Sequence, residues 1–145
     1  MSATNNERPV SVKLQTTIHQ DGDKETFTFT ETGTLVEMNG TAYLRYTEHQ
    51  AGFETPVTFK VRPDGEVSLK RSGESATHLR FMADQTIPTR YTTAQGSMLL
   101  DVQTTTLSAN VADTFDSGIV EIAYSLLTGE TVLGDYTLRL EFSVN

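Results

Sequence analysis

The sequence predicts an all-β domain: a single antiparallel barrel of meander type, with a sandwich as the runner-up. Three observations carry this. Apolar residues recur with period two along most of the chain, the mark of half-buried strands. Two-residue turn signals such as Asn-Gly and Asp-Gly fall between those runs. Threonine, whose branched Cβ suits a pleated surface, occurs 24 times in 145 residues, and no stretch has the 3.6-residue period of an amphipathic helix.

Taken in order, Val10, Val12, Leu14 and Ile18 define the apolar face of a first strand. A turn at Asp21-Gly22 leads to a second, where Glu25, Phe27, Phe29 and Glu31 share a face opposite Thr26, Thr28 and Thr30. Gly33 interrupts that strand and predicts a bend or bulge. Asn39-Gly40 predicts the next hairpin and Asp64-Gly65 another, the latter joining Val57, Phe59 and Val61 to Val67, Leu69 and Arg71. A turn at Ser72-Gly73 precedes Thr77, Leu79 and Phe81. A short strand around Thr89–Thr93 and a longer one after Gly96 follow, then a loop over 109–118. Two long strands close the chain, with Val120, Ile122, Tyr124 and Leu126 on one face of the first, and Tyr136, Leu138, Leu140, Phe142 and Val144 on one face of the second. About nine or ten sequential strands protect their edges most simply by curling into a barrel. Residues 1–8 are expected to be a disordered tail and 9–145 the single barrel domain.

Composition excludes several classes. Without cysteine there is no disulfide framework and no thiolate metal site. No apolar run approaches the roughly 20 residues of a membrane helix, and the N-terminus lacks the apolar stretch of a signal peptide, so a soluble cytoplasmic protein is expected. His19, His49 and His78 have no ligand-like spacing, and no cofactor or metal is expected. No nucleophile elbow is present. An enzyme would need His78, Tyr91 and a carboxylate to converge, so a non-enzymatic role is favoured. The net charge of −8 argues against a general nucleic-acid binder.

That charge is uneven. Residues 60–90 carry six basic and four acidic groups, a net of +2, inside an otherwise acidic chain. Lys60, Arg62, Lys70, Arg80 and Arg90 are expected on an outer basic stripe that a protein or RNA partner would contact. Arg71 is different, because it shares a face with Val67 and Leu69. A charge on an apolar face needs a partner. Either it pairs with Glu31 or Glu25, with Tyr91 or Tyr46 donating a hydrogen bond, or it is presented at the barrel mouth to a ligand. In the ligand reading the site comprises Arg71, Glu31, Tyr91 and Tyr46, walled by Phe27, Phe29, Phe59 and Phe81, and the ligand is small and amphipathic or anionic.

The stretches Tyr43-Leu44-x-Tyr46-x-Glu48, Leu69-x-Arg71-Ser72-Gly73, Leu79-Arg80-Phe81, Tyr91-x-Thr93-x-x-Gly96 and Gly118-x-Val120-x-Ile122-x-Tyr124 occur in this order. In these the chain resembles the YwiB-like family of uncharacterised bacterial proteins, from about Val10 to Phe142. The resemblance implies a calycin-like β-barrel, as in lipocalins, and no activity. The closing hairpin departs from the family pattern in length and detail.

Overall fold

The first strand of the chain pairs with the last. In the computed structural model, which describes residues 7–73 and 76–145, Val10 lies opposite Val144 and the ladder continues to His19 opposite Asp135. The strands are β1 (Arg8–Gln20), β2 (Asp23–Met38), β3 (Thr41–Gln50), β4 (Phe53–Val61), β5 (Val67–Arg71), β6 (Thr77–Phe81), β7 (Thr86–Thr93), β8 (Gly96–Val111), β9 (Ser117–Thr128) and β10 (Thr131–Val144). They form one antiparallel sheet of order β6-β5-β4-β3-β2-β1-β10-β9-β8-β7. Two meanders are thus joined through β1 and β10.

The sheet curls until its outer strands meet. Among the described residues, the β6 and β7 ends meet through one antiparallel bridge, in which the Ala76 and Thr92 amides each donate to the other's carbonyl, at 2.9 and 3.1 Å. The strands then splay, and the Thr89 hydroxyl spans the gap to the His78 carbonyl. Pro88 lies two steps of alternation from Arg90 and four from Thr92, so its nitrogen faces this seam and has no hydrogen to donate. The result is a nearly closed barrel. Among the described residues, no helix is long and apolar enough to cross a membrane.

Turn chemistry follows the sequence. Asn39 and Gly40 have φ of 53° and 84°, and Asp21 and Gly22 have 52° and 82°, the left-handed pair a two-residue hairpin needs. A further hairpin of this kind, at Ala51-Gly52, has no Asn or Asp to announce it. β7 is longer than expected and the loop after β8 shorter, since β8 runs to Val111 and β9 starts at Ser117. Residues 1–6 of the expected tail lie outside the described residues. Arg8 already belongs to β1, and its guanidinium donates to the Phe115 carbonyl at 2.6 Å.

The core fills one end of the barrel. Val10, Leu35, Phe59, Val67, Phe81, Leu14 and Leu140 are fully buried there and in the middle. At the other end, which carries the turns after β1, β3, β5, β7 and β9, the inward-facing side chains are only half-buried. Ile18, Phe27, Phe29, Thr55, Thr77, Tyr91, Leu126 and Tyr136 all share this partial exposure. The barrel is therefore plugged at one end and open at the other.

Candidate functional site

The open end holds a buried ion pair. Tyr46 and Glu48 follow Ala42 and Leu44 on the inward face of β3, and Arg71 follows Val67 and Leu69 on that of β5. Arg71 Nε donates to Glu48 Oε1 and its Nη2 to Glu48 Oε2, each at 3.1 Å, a two-pronged geometry that suits guanidinium and carboxylate. The Tyr46 hydroxyl donates to Glu48 Oε2 at 2.8 Å. Glu48 is almost fully enclosed, with 6% of its side chain exposed, while Arg71 keeps 31%.

Electrostatics follow from burial. Desolvation raises the Tyr46 pKa well above that of a free phenol, and the neighbouring Glu48 charge raises it further. Burial opposes the charge of Arg71, but its hydrogen bonds to Glu48 and the carboxylate charge outweigh that and raise its pKa. Burial also raises Tyr124, with the Arg71 charge acting against the shift. The Tyr124 ring stacks on Tyr136 at 5.0 Å and tilts against Phe81 at 4.7 Å, forming an aromatic floor beneath the open end.

The exposed edge of Arg71 opens onto a cleft of about 420 Å³, lined by Phe53, Glu54, Thr55, Gly73, Thr77 and Tyr91 besides Arg71 itself. Among the described residues, Arg71 Nη1 has no hydrogen-bond partner. Phe53 is 58% exposed at the rim. The cleft thus offers two aromatic rings, two threonine side chains and one unused guanidinium edge.

Several expectations need correction. The partner of Arg71 is Glu48, not Glu31 or Glu25. Glu31 lies on β2, one strand further away, and accepts instead from the His49 amide at 3.0 Å and contacts its ring at 3.1 Å. Glu25 is exposed. Tyr46 binds Glu48 rather than Arg71. Phe59 and Phe81 are 0% exposed within the packed core, so of the phenylalanines it is Phe27, Phe29 and Phe53 that leave apolar surface open. Tyr91 does share the cleft with Arg71. His78 points outward from β6 and Tyr91 inward from β7, on opposite faces of the wall.

The outer basic group assembles in part. Burial lowers the His78 pKa, and Lys60, Lys70 and Arg80 press it the same way. Arg80 and Arg62 both reach Glu66, at 2.8 and 3.6 Å. Lys60 and Arg45 lie 5.6 and 5.7 Å from the Tyr43 ring centre. Arg90 stands on the outward face of β7, across the seam.

Sequence reasoning missed Glu48 and Phe53. Glu48 had a readable signal, because it continues the alternation of Ala42, Leu44 and Tyr46. Phe53 had a weaker one, since it continues the alternation of Val57 and Phe59 but opens its strand directly after a turn.

Comparison with known proteins gives a consistent answer. The family described as Domain of unknown function (DUF1934) matches residues 12–140, and the chain belongs to it. The uncharacterized beta-barrel protein YwiB of Bacillus subtilis (strain 168) is 26% identical over 124 residues, 86% of this chain and 85% of that one. The crystal structure of the ywiB protein from Bacillus subtilis aligns over 97% of this chain and 94% of that chain, with a TM-score of 0.83 and 23% identity, and shows the same fold.

Proposed function

We propose that this YwiB-like barrel is a non-enzymatic binding protein that takes a small amphipathic molecule at its open end. One observation carries the reading: an unused guanidinium edge, held rigid by Glu48, faces a cleft of about 420 Å³ with exposed aromatic surface. Clefts of roughly 300–1,000 Å³ with a few placed polar groups are the usual form of small-molecule sites. The charge of Arg71 is already matched by Glu48, and Glu54 lines the same cleft. A free anion would meet two carboxylates there. The better ligand is an apolar body on Phe53 and Tyr91, with a neutral carbonyl or hydroxyl accepting from Arg71 Nη1. A cysteine-free chain suits the cytoplasm, where we place this activity.

Native mass spectrometry of gently purified protein tests this. Wild type is expected to carry a small molecule that a Phe53→Ser, Tyr91→Ser variant loses, the ion pair being left intact. A bare chain mass for wild type, with no ligand recovered on incubation with bacterial lipid extract, overturns the reading.

A second reading has its own support in the cations gathered around His78. Here the outer face of β4–β6 is an interaction module for an acidic protein or RNA surface. Salt-sensitive retention on heparin, abolished by Lys70→Glu with Arg80→Glu, would favour it. Retention unchanged in that variant removes it.

A further inference from the structure

β2 has two halves with different surroundings. Its ladder with β1 runs the whole way from Leu35 to Asp23. Its ladder with β3 covers only Met38 to Gly33 and ends at the Gly33–Tyr46 pair. From Thr32 to Asp23 the side of β2 that faced β3 has, among the described residues, no strand laddered to it, the one link from β3 being the His49 amide on the Glu31 side chain. Met38 and Thr41 close a two-residue hairpin and so exchange hydrogen bonds, which means the even-numbered residues of β2 direct their backbone toward β3. By that alternation Lys24, Thr26, Thr28, Thr30 and Thr32 present their N–H and C=O groups to the vacant side. Among the described residues, no backbone hydrogen bond from elsewhere in the chain reaches them.

Such an edge is a template for another strand. At its foot lies a groove of about 490 Å³, lined among others by Glu31, Thr32, Thr47, His49 and Glu54. We propose that the free edge of β2, from Lys24 to Thr32, takes up an extended peptide segment by antiparallel strand addition. The inward face of β2 states what that segment must carry. Glu25, Phe27, Phe29 and Glu31 alternate along it, so an added strand sets its own inward residues opposite them. Apolar residues belong opposite the two phenylalanines, and Lys or Arg opposite Glu25 and Glu31, the latter cation sharing the Glu31 carboxylate with the His49 amide and ring. The motif is a cation, two apolar residues and a cation at every second position.

The same carboxylates disfavour a second copy of this chain. Two-fold pairing about Thr28 would set Glu25 of each copy against Glu31 of the other, on chains that each carry a net charge of −8. Like charges directly opposite on a sheet are destabilising. Inward-pointing charges also guard an edge against indiscriminate pairing. Here they select a basic partner.

The test uses the capped peptide Lys-Thr-Leu-Thr-Leu-Thr-Lys and a control with Glu replacing both Lys. Amide exchange followed by NMR is expected to show Thr26, Thr28 and Thr30 exchanging fast in the free protein and at least about tenfold slower with the Lys peptide, roughly one hydrogen bond's worth per amide. Phe27 and Phe29 amides, bonded to β1, stay slow throughout. The Glu peptide has no effect. Thr28→Pro removes an N–H from the vacant side alone and leaves the β1 ladder whole, so it is expected to fold and bind about tenfold more weakly. Three results overturn the proposal: these threonine amides already slow in the free protein, no slowing up to the solubility limit of the Lys peptide, or a wild-type dimer that Thr28→Pro dissolves. The exchange measurement on wild type decides the matter even if Thr28→Pro does not fold.

Discussion

Replacing Glu48 with alanine should be among the costlier single changes in this protein. The substitution strands the Arg71 guanidinium and leaves the Tyr46 hydroxyl without its acceptor, both in a region where Glu48 itself is 6% exposed. Breaking a buried pair by removing one member typically costs about 3–5 kcal/mol. Arg71 retains 31% exposure, so water recovers part of that, and about 2 kcal/mol is the fitting share. The orphaned hydroxyl adds about 1 kcal/mol. The sum is about 3 kcal/mol. With an unfolding entropy of roughly 2.1 cal/mol/K for each of 145 residues, that is a fall in Tm of about 10 °C. Urea and thermal unfolding followed by circular dichroism measure the free energy and the Tm shift respectively, tryptophan fluorescence being ruled out by composition. In an Arg71→Met, Tyr46→Phe background, Glu48→Leu should cost little, because no charge or hydroxyl is left unpaired. If Glu48→Ala costs under about 1 kcal/mol, or costs as much in that background as in wild type, the ion pair does not hold the open end together.

Further changes test other parts of the fold. A Cβ on Gly33 would lie 2.8 Å from the Tyr46 Cβ and collide with the Arg45 carbonyl, so Gly33→Ala should destabilise by about 1–3 kcal/mol in chemical denaturation. The Thr104 hydroxyl is buried with no partner among the described residues, and Thr104→Val should raise Tm by a few degrees, about 1 kcal/mol. His49 bonds to Glu31 and lies 3.3 Å from Glu54, which raises its pKa above the ordinary 6.5. Protonation is therefore favoured by folding, and the resulting stability is present at low pH and lost as pH rises through the folded pKa. An NMR titration should find the His49 midpoint above 6.5 in wild type and lower in Glu31→Gln. His78 runs the other way: burial and nearby cations resist its protonation, so it withdraws stability as pH falls through 6.5, and its midpoint should lie below that value.

The physics of alternation explains what was readable in the sequence. A period of two tells which side chains share a face, and on that basis Val10, Leu14, Phe59, Phe81 and Leu140 belong to the core, where they are found. The Asn39-Gly40 and Asp21-Gly22 turns were legible because positive φ demands particular residues. Alternation also placed Arg71 inside. It could not say what Arg71 would meet, because Glu48 lies two strands away and is brought within reach by the curvature of the sheet across β4. A carboxylate one strand further, Glu31, looked equivalent in sequence and lies where β2 no longer pairs with β3.

Gly33 shows the same boundary from the other side. Its small size was legible as a break, and the close approach of β3 explains why only glycine fits. The consequence was out of reach of local pattern. At this residue β2 stops pairing with β3 while continuing to pair with β1. The phenylalanines beyond it are thereby left facing inward with no neighbouring strand on one side. Those same residues had read as ligand wall because apolar residues facing a barrel interior look alike wherever they lie along its axis. Position along the axis, set by which ladders end and where, separates Phe59 and Phe81 in the packed end from Phe27 and Phe29 in the open one. A search for function in a barrel of this kind should therefore start where ladders terminate, since that is where backbone groups and apolar faces are left without partners inside the chain.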